Sequence, residues 1–178
     1  MSKRWKHIRS KIVFKSKWMT IEKRVYKLPN GKIVKDYYHL KRPDYVLIIA
    51  IDSKKRIALL RQYRRGVDDF VYELPAGWLD KGEKPLDAAL RELNEETGLI
   101  GTGKIIAEVY PQPEFSSMKA YVALLKVKPQ KLKSTSLKKD KNLEFKMIHI
   151  EKINKMIKDG NIKDMGLLSS LAVYVIKA

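Results

Sequence analysis

The segment PLDAALRELNEETG, from Pro85 to Gly98, limits the folds open to this chain more than any other. Proline suits the first turn of a helix and glycine the residue just past its end, so a helix is expected over Pro85–Thr97. Leu86, Ala89, Leu90 and Leu93 form its apolar stripe. Positions three and four apart share a helix face, so Glu92, Glu95 and Glu96 stand together on another. A purely structural helix gains nothing from stacking three like charges. Their repulsion predicts a solvent-facing acidic surface, and clustered carboxylate oxygens suit a hard divalent cation, magnesium or manganese.

That acidic patch is conspicuous because the chain is basic. Its 178 residues include 38 Lys and Arg against 20 Asp and Glu, a formal net charge of +18. The excess is confined to the flanks: residues 1–42 carry +12, residues 43–125 carry −2 and residues 126–178 carry +8. Cationic flanks attract phosphate-bearing ligands in general. Neither zinc-finger spacing nor an aromatic RNA-recognition pattern accompanies them, so nucleic acid is an open but not a favoured partner. The chain has no cysteine, which excludes disulfides, thiol catalysis and a Cys-based zinc site. Its three histidines, His7, His39 and His149, lack metal-ligand spacing. No apolar run approaches the roughly 18 residues of a membrane span. The basic amino terminus is not followed by an apolar signal core, so a cytoplasmic protein without a membrane partner is expected.

Short alternating runs precede the helix. Lys11–Phe14, Thr20–Leu28 and Lys32–Leu40 read as strands, with a turn at Pro29-Asn30-Gly31. Asp44–Ile51 reads as a buried strand, and Arg56–Tyr63 and Phe70–Leu74 as the next two. After the helix, Ile105–Tyr110, Ala120–Val127 and Phe145–Ile150 read as strands, and Glu151–Asp159 and Leu167–Ile176 as closing helices. Lys128–Asp140 is polar and reads as a loop. Gly101-Thr102-Gly103-Lys104 lacks the spacing of a phosphate loop and reads as a turn. Strands interleaved with a few helices predict a mixed α/β sandwich. Two parts are expected: residues 1–42 as a small β subdomain and residues 43–178 as the main domain.

The stretch from Gly77 to Leu99 resembles the Nudix box at each of its fixed positions: Gly77, Glu83, Arg91, Glu92, Leu93, Glu95, Glu96, Gly98 and Leu99. The resemblance implies the α/β/α Nudix sandwich with a mixed sheet, and metal-dependent hydrolysis of a nucleoside diphosphate linked to another group. Residues 61–77, RQYRRGVDDFVYELPAG, are similar to ADP-ribose and nucleotide-sugar pyrophosphatases. From these families Arg64 is expected to contact the substrate diphosphate. Glu92, Glu95, Glu96 and the carbonyl of Ala76 are expected as metal ligands. Arg91, able to pair with Glu83, is counted with Glu95 among the catalytic residues. Pro113 lies at the place of a marker proline, and Phe115 follows it, so both are candidate substrate contacts. Trp18 falls where some relatives stack an adenine. The small β subdomain matches the part through which such enzymes form homodimers.

The chain departs from these relatives where Glu114 and Met118 replace a glycine and a sugar-contacting glutamate. Relatives also supply a catalytic base from the loop before the last strand. There this chain offers only Asp140 and Glu144, of which Glu144 is favoured because Phe145 anchors it and Lys139 and Lys141 flank Asp140; a box glutamate such as Glu95 is the remaining candidate for the base. The expected substrate is a nucleoside diphosphate sugar of the ADP-ribose type, cleaved to a nucleoside monophosphate and a sugar phosphate. The alternatives are UDP- or GDP-sugars, dinucleoside polyphosphates, an RNA 5′ end, or a non-catalytic nucleotide- or nucleic-acid-binding module on the same scaffold.

Overall fold

A computed structural model describes residues 4–128 and 143–177. They form two compact units. The first comprises, among the described residues, 4–43 together with 110–119. Strands β1 (Lys6–Lys15), β2 (Thr20–Lys27) and β3 (Ile33–Lys41) make an antiparallel sheet in that order. Strand β1 runs five residues earlier than the Lys11 start expected, because His7 and Lys6 continue the ladder to Tyr26 and Lys27. Segment 110–119, which a linear division places with the main domain, belongs to this unit. The Leu40 amide donates to the Phe115 carbonyl at 2.8 Å. The Ser116 hydroxyl donates to the Leu40 carbonyl at 3.0 Å.

The second unit comprises, among the described residues, 44–109, 120–128 and 143–177. Strands β4 (Tyr45–Ile51), β5 (Arg56–Arg64), β6 (Asp69–Glu73), β7 (Ala76–Trp78), β8 (Gly101–Val109), β9 (Ala120–Val127) and β10 (Leu143–His149) form a mixed sheet. Its main path runs β10-β5-β4-β9-β8, with β6 paired to β5 and β7 to β4. Among the described strands β4 and β9 run parallel and the other pairings are antiparallel. Strand β4 is buried on both faces, as its unbroken Val and Ile content predicts. Val46, Ile48 and Ala50 pack with Ala88, Ala89 and Leu93 of helix α1 (Pro85–Thr97). Leu47 and Ile49 pack on the opposite face with Ile153 of α2 (Ile150–Lys158) and Leu167 and Leu171 of α3 (Met165–Lys177). The result is helix, sheet, helix.

Two local expectations need correction. Gly101–Lys104 is not a turn but the start of β8. A side chain on Gly103 would lie 1.9 Å from the Leu124 carbonyl oxygen, so this glycine permits a close strand approach. The short strand β7 was also absent from the sequence expectation. It lies directly after Pro75 and is held by pairing with Tyr45, Val46 and Leu47. The expected loop at Lys128–Asp140 falls, apart from Lys128, outside the described residues.

Candidate active site

Helix α1 begins with Pro85 at its first turn and ends at Gly98, whose φ of 69° is left-handed and whose amide caps the Asn94 carbonyl. Box residues Leu93 and Leu99 are buried and anchor the helix to the sheet. This orientation turns Arg91, Glu92 and Glu96 toward β7.

Arg91 organises the corner. Its Nε and NH2 donate to the two oxygens of Glu83, each at 2.8 Å, in a bidentate fork. NH2 also donates to the Trp78 carbonyl at 3.0 Å, and NH1 to Glu92 Oε1 at 2.7 Å. Glu95 lies 3.6 Å from NH1 and is 42% exposed. Arg91 is thus an orienting residue that ties the loop, β7 and the acidic helix together. The pairing with Glu83 raises its pKa further above the ordinary value. The same bonds, with the Asp80 amide donating at 2.9 Å, lower the Glu83 carboxyl to about 2.

Two of the three helix carboxylates do not face solvent as their mutual repulsion suggested; Glu95 does. Glu92 is 6% and Glu96 8% exposed. Arg91 offsets the charge of Glu92, and the Ala76 amide donates to Glu96 Oε2 at 3.0 Å, so the cost of burying them is met locally. Glu92 also requires Gly77: an ideal Cβ there would sit 1.9 Å from its Cδ.

These residues fit a hard cation. The donors at the corner are carboxylates beside a main-chain segment, with no imidazole or sulfur among them. Among the described residues no three acidic or histidine side chains form a closed metal cage. An ion held by one or two carboxylates and completed by substrate oxygens is the usual magnesium arrangement.

A cavity of about 680 Å³ is lined by the β5–β6 hairpin, including Arg61, Arg64, Phe70 and Glu73, and by Lys163 and Asp164 before α3. Arg64 is not a bare strand-end cation. Its Nε donates to both oxygens of Glu73, at 2.8 and 2.9 Å, and its NH2 donates to Glu73 Oε2 at 2.5 Å. These bonds raise its pKa, and the charges of Glu96 and Asp164 reinforce the shift. Arg64 therefore lies within the electrostatic reach of the box helix.

Glu144 sits on β10 opposite Arg61 of β5. It accepts from Lys146 Nζ at 3.1 Å and from Arg61 NH1 at 3.4 Å. Lys146, and then Arg61, lower its pKa, which keeps it ionised but makes it a weaker base. Its described partners are these two cations, not the box carboxylates. Asp140 lies outside the described residues.

Trp18, Pro113 and Phe115 belong to the amino-terminal unit. Trp18 lies in the β1–β2 turn, 61% exposed, with Lys17 Nζ 4.6 Å from its ring centre. Pro113 is exposed and Phe115 half-buried. Met118 is buried, so the place of the relatives' sugar-contacting glutamate is taken by a core side chain.

Glu73, Lys163 and Asp164 were not singled out from the sequence. Glu73 stood within the stretch that resembles nucleotide-sugar pyrophosphatases, and its fixed distance from Arg64 along a hairpin was an available signal. Lys163 and Asp164 reach the cavity through tertiary packing alone and carried none.

An α/β/α sandwich with a glycine-seated, arginine-tied acidic helix defines a Nudix protein, and the chain belongs to that family: the NUDIX domain model matches residues 41–166. The ADP-ribose pyrophosphatase of Bacillus subtilis (strain 168) is 30% identical over 162 residues, covering 89% of this chain and 86% of that protein. The ADP-sugar pyrophosphatase of Mus musculus is 33% identical over 110 residues, covering 56% of this chain and 49% of that protein. The methanol dehydrogenase activator of Bacillus methanolicus is 38% identical over 93 residues, covering 52% and 50%. The matches to these two reach about half of each relative's length. A solved structure described as an ADP compounds hydrolase superposes with a TM-score of 0.83 at 21% identity, covering 98% of this chain and 94% of that one. At that identity the likeness establishes the fold.

Proposed function

We propose that this Nudix protein is a pyrophosphohydrolase that cleaves the diphosphate linkage of a nucleoside diphosphate sugar of the ADP-ribose type. The observation that carries this reading is a pair of buried carboxylates beside β7, Glu92 held by Arg91 and Glu96 held by the Ala76 amide. A pure binding module has no use for burying anionic groups at such a desolvation cost. The relatives named ADP-ribose and ADP-sugar pyrophosphatases support the choice of substrate.

In this reading Glu92, Glu96 and the Ala76 carbonyl would hold a divalent cation, magnesium or manganese, with Glu95 as a further ligand or outer support. When bound, such an ion supplies charge neutralisation for the diphosphate and a more acidic attacking water. Arg64 binds the phosphates from the cavity side. A water oxygen attacks one phosphorus, the bond from that phosphorus to the bridging oxygen breaks, and the bridging oxygen leaves with the other phosphate. Glu144 is the proposed acceptor of the water proton: it is ionised, and its partner Arg61 lines the cavity. Trp18, Pro113 and Phe115 are proposed substrate contacts, Trp18 offering an exposed ring to a nucleobase. Residues 1–42 are proposed to mediate a homodimer.

The buried Met118 favours one alternative within the same chemistry, a nucleotide sugar recognised without a carboxylate at that place. Turnover of ADP-ribose, UDP-glucose, GDP-mannose and a dinucleoside polyphosphate, with product identification, decides between them. AMP and ribose phosphate from ADP-ribose are expected. Nucleotide binding without turnover of any diphosphate would identify a binding module instead.

A further inference from the structure

Arg64 has a guanidinium with two usable edges, and Glu73 takes only one. The Nε edge is clamped by three hydrogen bonds to the Glu73 carboxylate. The carboxylate side chain is 15% exposed, whereas Arg64 is 49% exposed and lines the cavity. NH1 makes no hydrogen bond to a described residue. An arginine side chain held at one edge keeps its planar fork oriented, and a forked donor matches a phosphate only in the right orientation. Glu73 lies at the end of β6, two residues before the Pro75–Ala76 step that meets Glu96. Glu73 thus links Arg64, through its side chain, to the chain segment that meets Glu96.

We infer that Glu73 is a positioning residue for the reaction: it holds Arg64 by the Nε edge so that the NH1–NH2 edge is presented to the substrate diphosphate beside Glu96. This rests on the reading of the site as a nucleoside diphosphate hydrolase. It separates Glu73 from two other roles. A carboxylate that merely competed with phosphate for Arg64 would weaken binding, and its removal would tighten it. A merely structural ion pair would change thermal stability and leave the kinetics alone. Pairing through a positioned cation predicts instead that the two residues act as one unit.

The test is a double-mutant cycle on the full chain with Arg64→Ala, Glu73→Ala, their combination, and Glu73→Gln. Two readouts are taken: kcat/KM for ADP-ribose hydrolysis with magnesium, and Kd for ADP-ribose by calorimetry with calcium in place of magnesium. Melting temperature is recorded for each variant. Expected are losses of at least about tenfold in both readouts for Arg64→Ala and for Glu73→Ala, with the double variant no worse than Arg64→Ala alone. Glu73→Gln keeps one acceptor oxygen for Nε and should recover part of the loss. Unchanged or tighter binding in Glu73→Ala, or losses that simply add, would overturn the inference. If Arg64→Ala lowers Kd-measured affinity but the wild type turns over nothing, the hydrolytic reading fails while the coupling of the two residues is still measured.

Discussion

Glu92 occupies the space that any side chain at residue 77 would need: a Cβ on Gly77 would lie 1.9 Å from Glu92 Cδ and 2.1 Å from its Oε1. The first glycine and the first helix glutamate of the box are therefore one structural unit, although they stand fifteen positions apart in the chain.

Gly77→Ala should consequently displace Glu92 rather than β7, which is paired to β4 through Val46. Overpacking of this kind costs about 1–3 kcal/mol. The expected result is a folded protein with a lower melting temperature and turnover reduced by about tenfold or more. Calorimetric melting and steady-state kinetics on one preparation check both; a variant with wild-type kcat would show that Glu92 can move without consequence.

Glu96→Gln and Glu92→Gln keep shape and remove charge. Each should lower kcat at least roughly a hundredfold, the scale of losing a several-kcal/mol electrostatic contribution. Folding should persist, because a Gln carbonyl can still accept from the Ala76 amide or from Arg91. Full turnover in both variants would remove these residues from the cation site.

The pH dependence of stability should report Glu83. Its carboxyl falls from an ordinary 4.5 to about 2, through Arg91 first and the Asp80 amide second. A depressed carboxyl stabilises the fold fully above its unfolded value, and that contribution disappears as pH falls toward the folded one. The melting temperature of the wild type should therefore exceed that of Glu83→Gln near neutral pH, and the gap should close between about pH 4.5 and 2. A gap that is constant over this range would mean that Arg91 does not hold Glu83 in solution.

Glu144→Gln and Asp140→Asn compare the two carboxylates that the segment before the last strand offers as the proton acceptor. A loss of more than about tenfold is expected for Glu144→Gln, the lower edge of a general-base contribution. Because Lys146 competes for this carboxylate, Lys146→Ala should shift the acidic limb of the pH–rate profile upward. A smaller loss in Glu144→Gln than in Asp140→Asn transfers the role.

Sedimentation or light scattering should show a homodimer at micromolar concentration. The three-strand sheet of residues 6–41 leaves Ile8, Ile12, Val13 and Phe14 about half exposed, which a second copy would cover. A fully active monomer would exclude that role for the amino-terminal strands.

What the sequence determined by itself was local and periodic. Pro85, Gly98 and the spacing of Leu86, Ala89 and Leu93 specify a helix with one buried side, because caps and the 3.6-residue repeat act within a few residues. The unbroken Val and Ile of β4 specify a strand covered on both faces, and the box spacing specifies Glu92, Glu95 and Glu96 as neighbours. The tertiary structure decided which of those acids is buried. Glu92 and Glu96 went inward, where Arg91, the Ala76 amide and the missing Gly77 side chain offset their burial, while Glu95 stayed 42% exposed. It also decided that residues 110–119 join the amino-terminal unit, and that Glu73 clamps Arg64 in a cavity completed by Lys163 and Asp164. Those relations depend on strand register and long-range packing, and neither leaves a periodic trace in the chain.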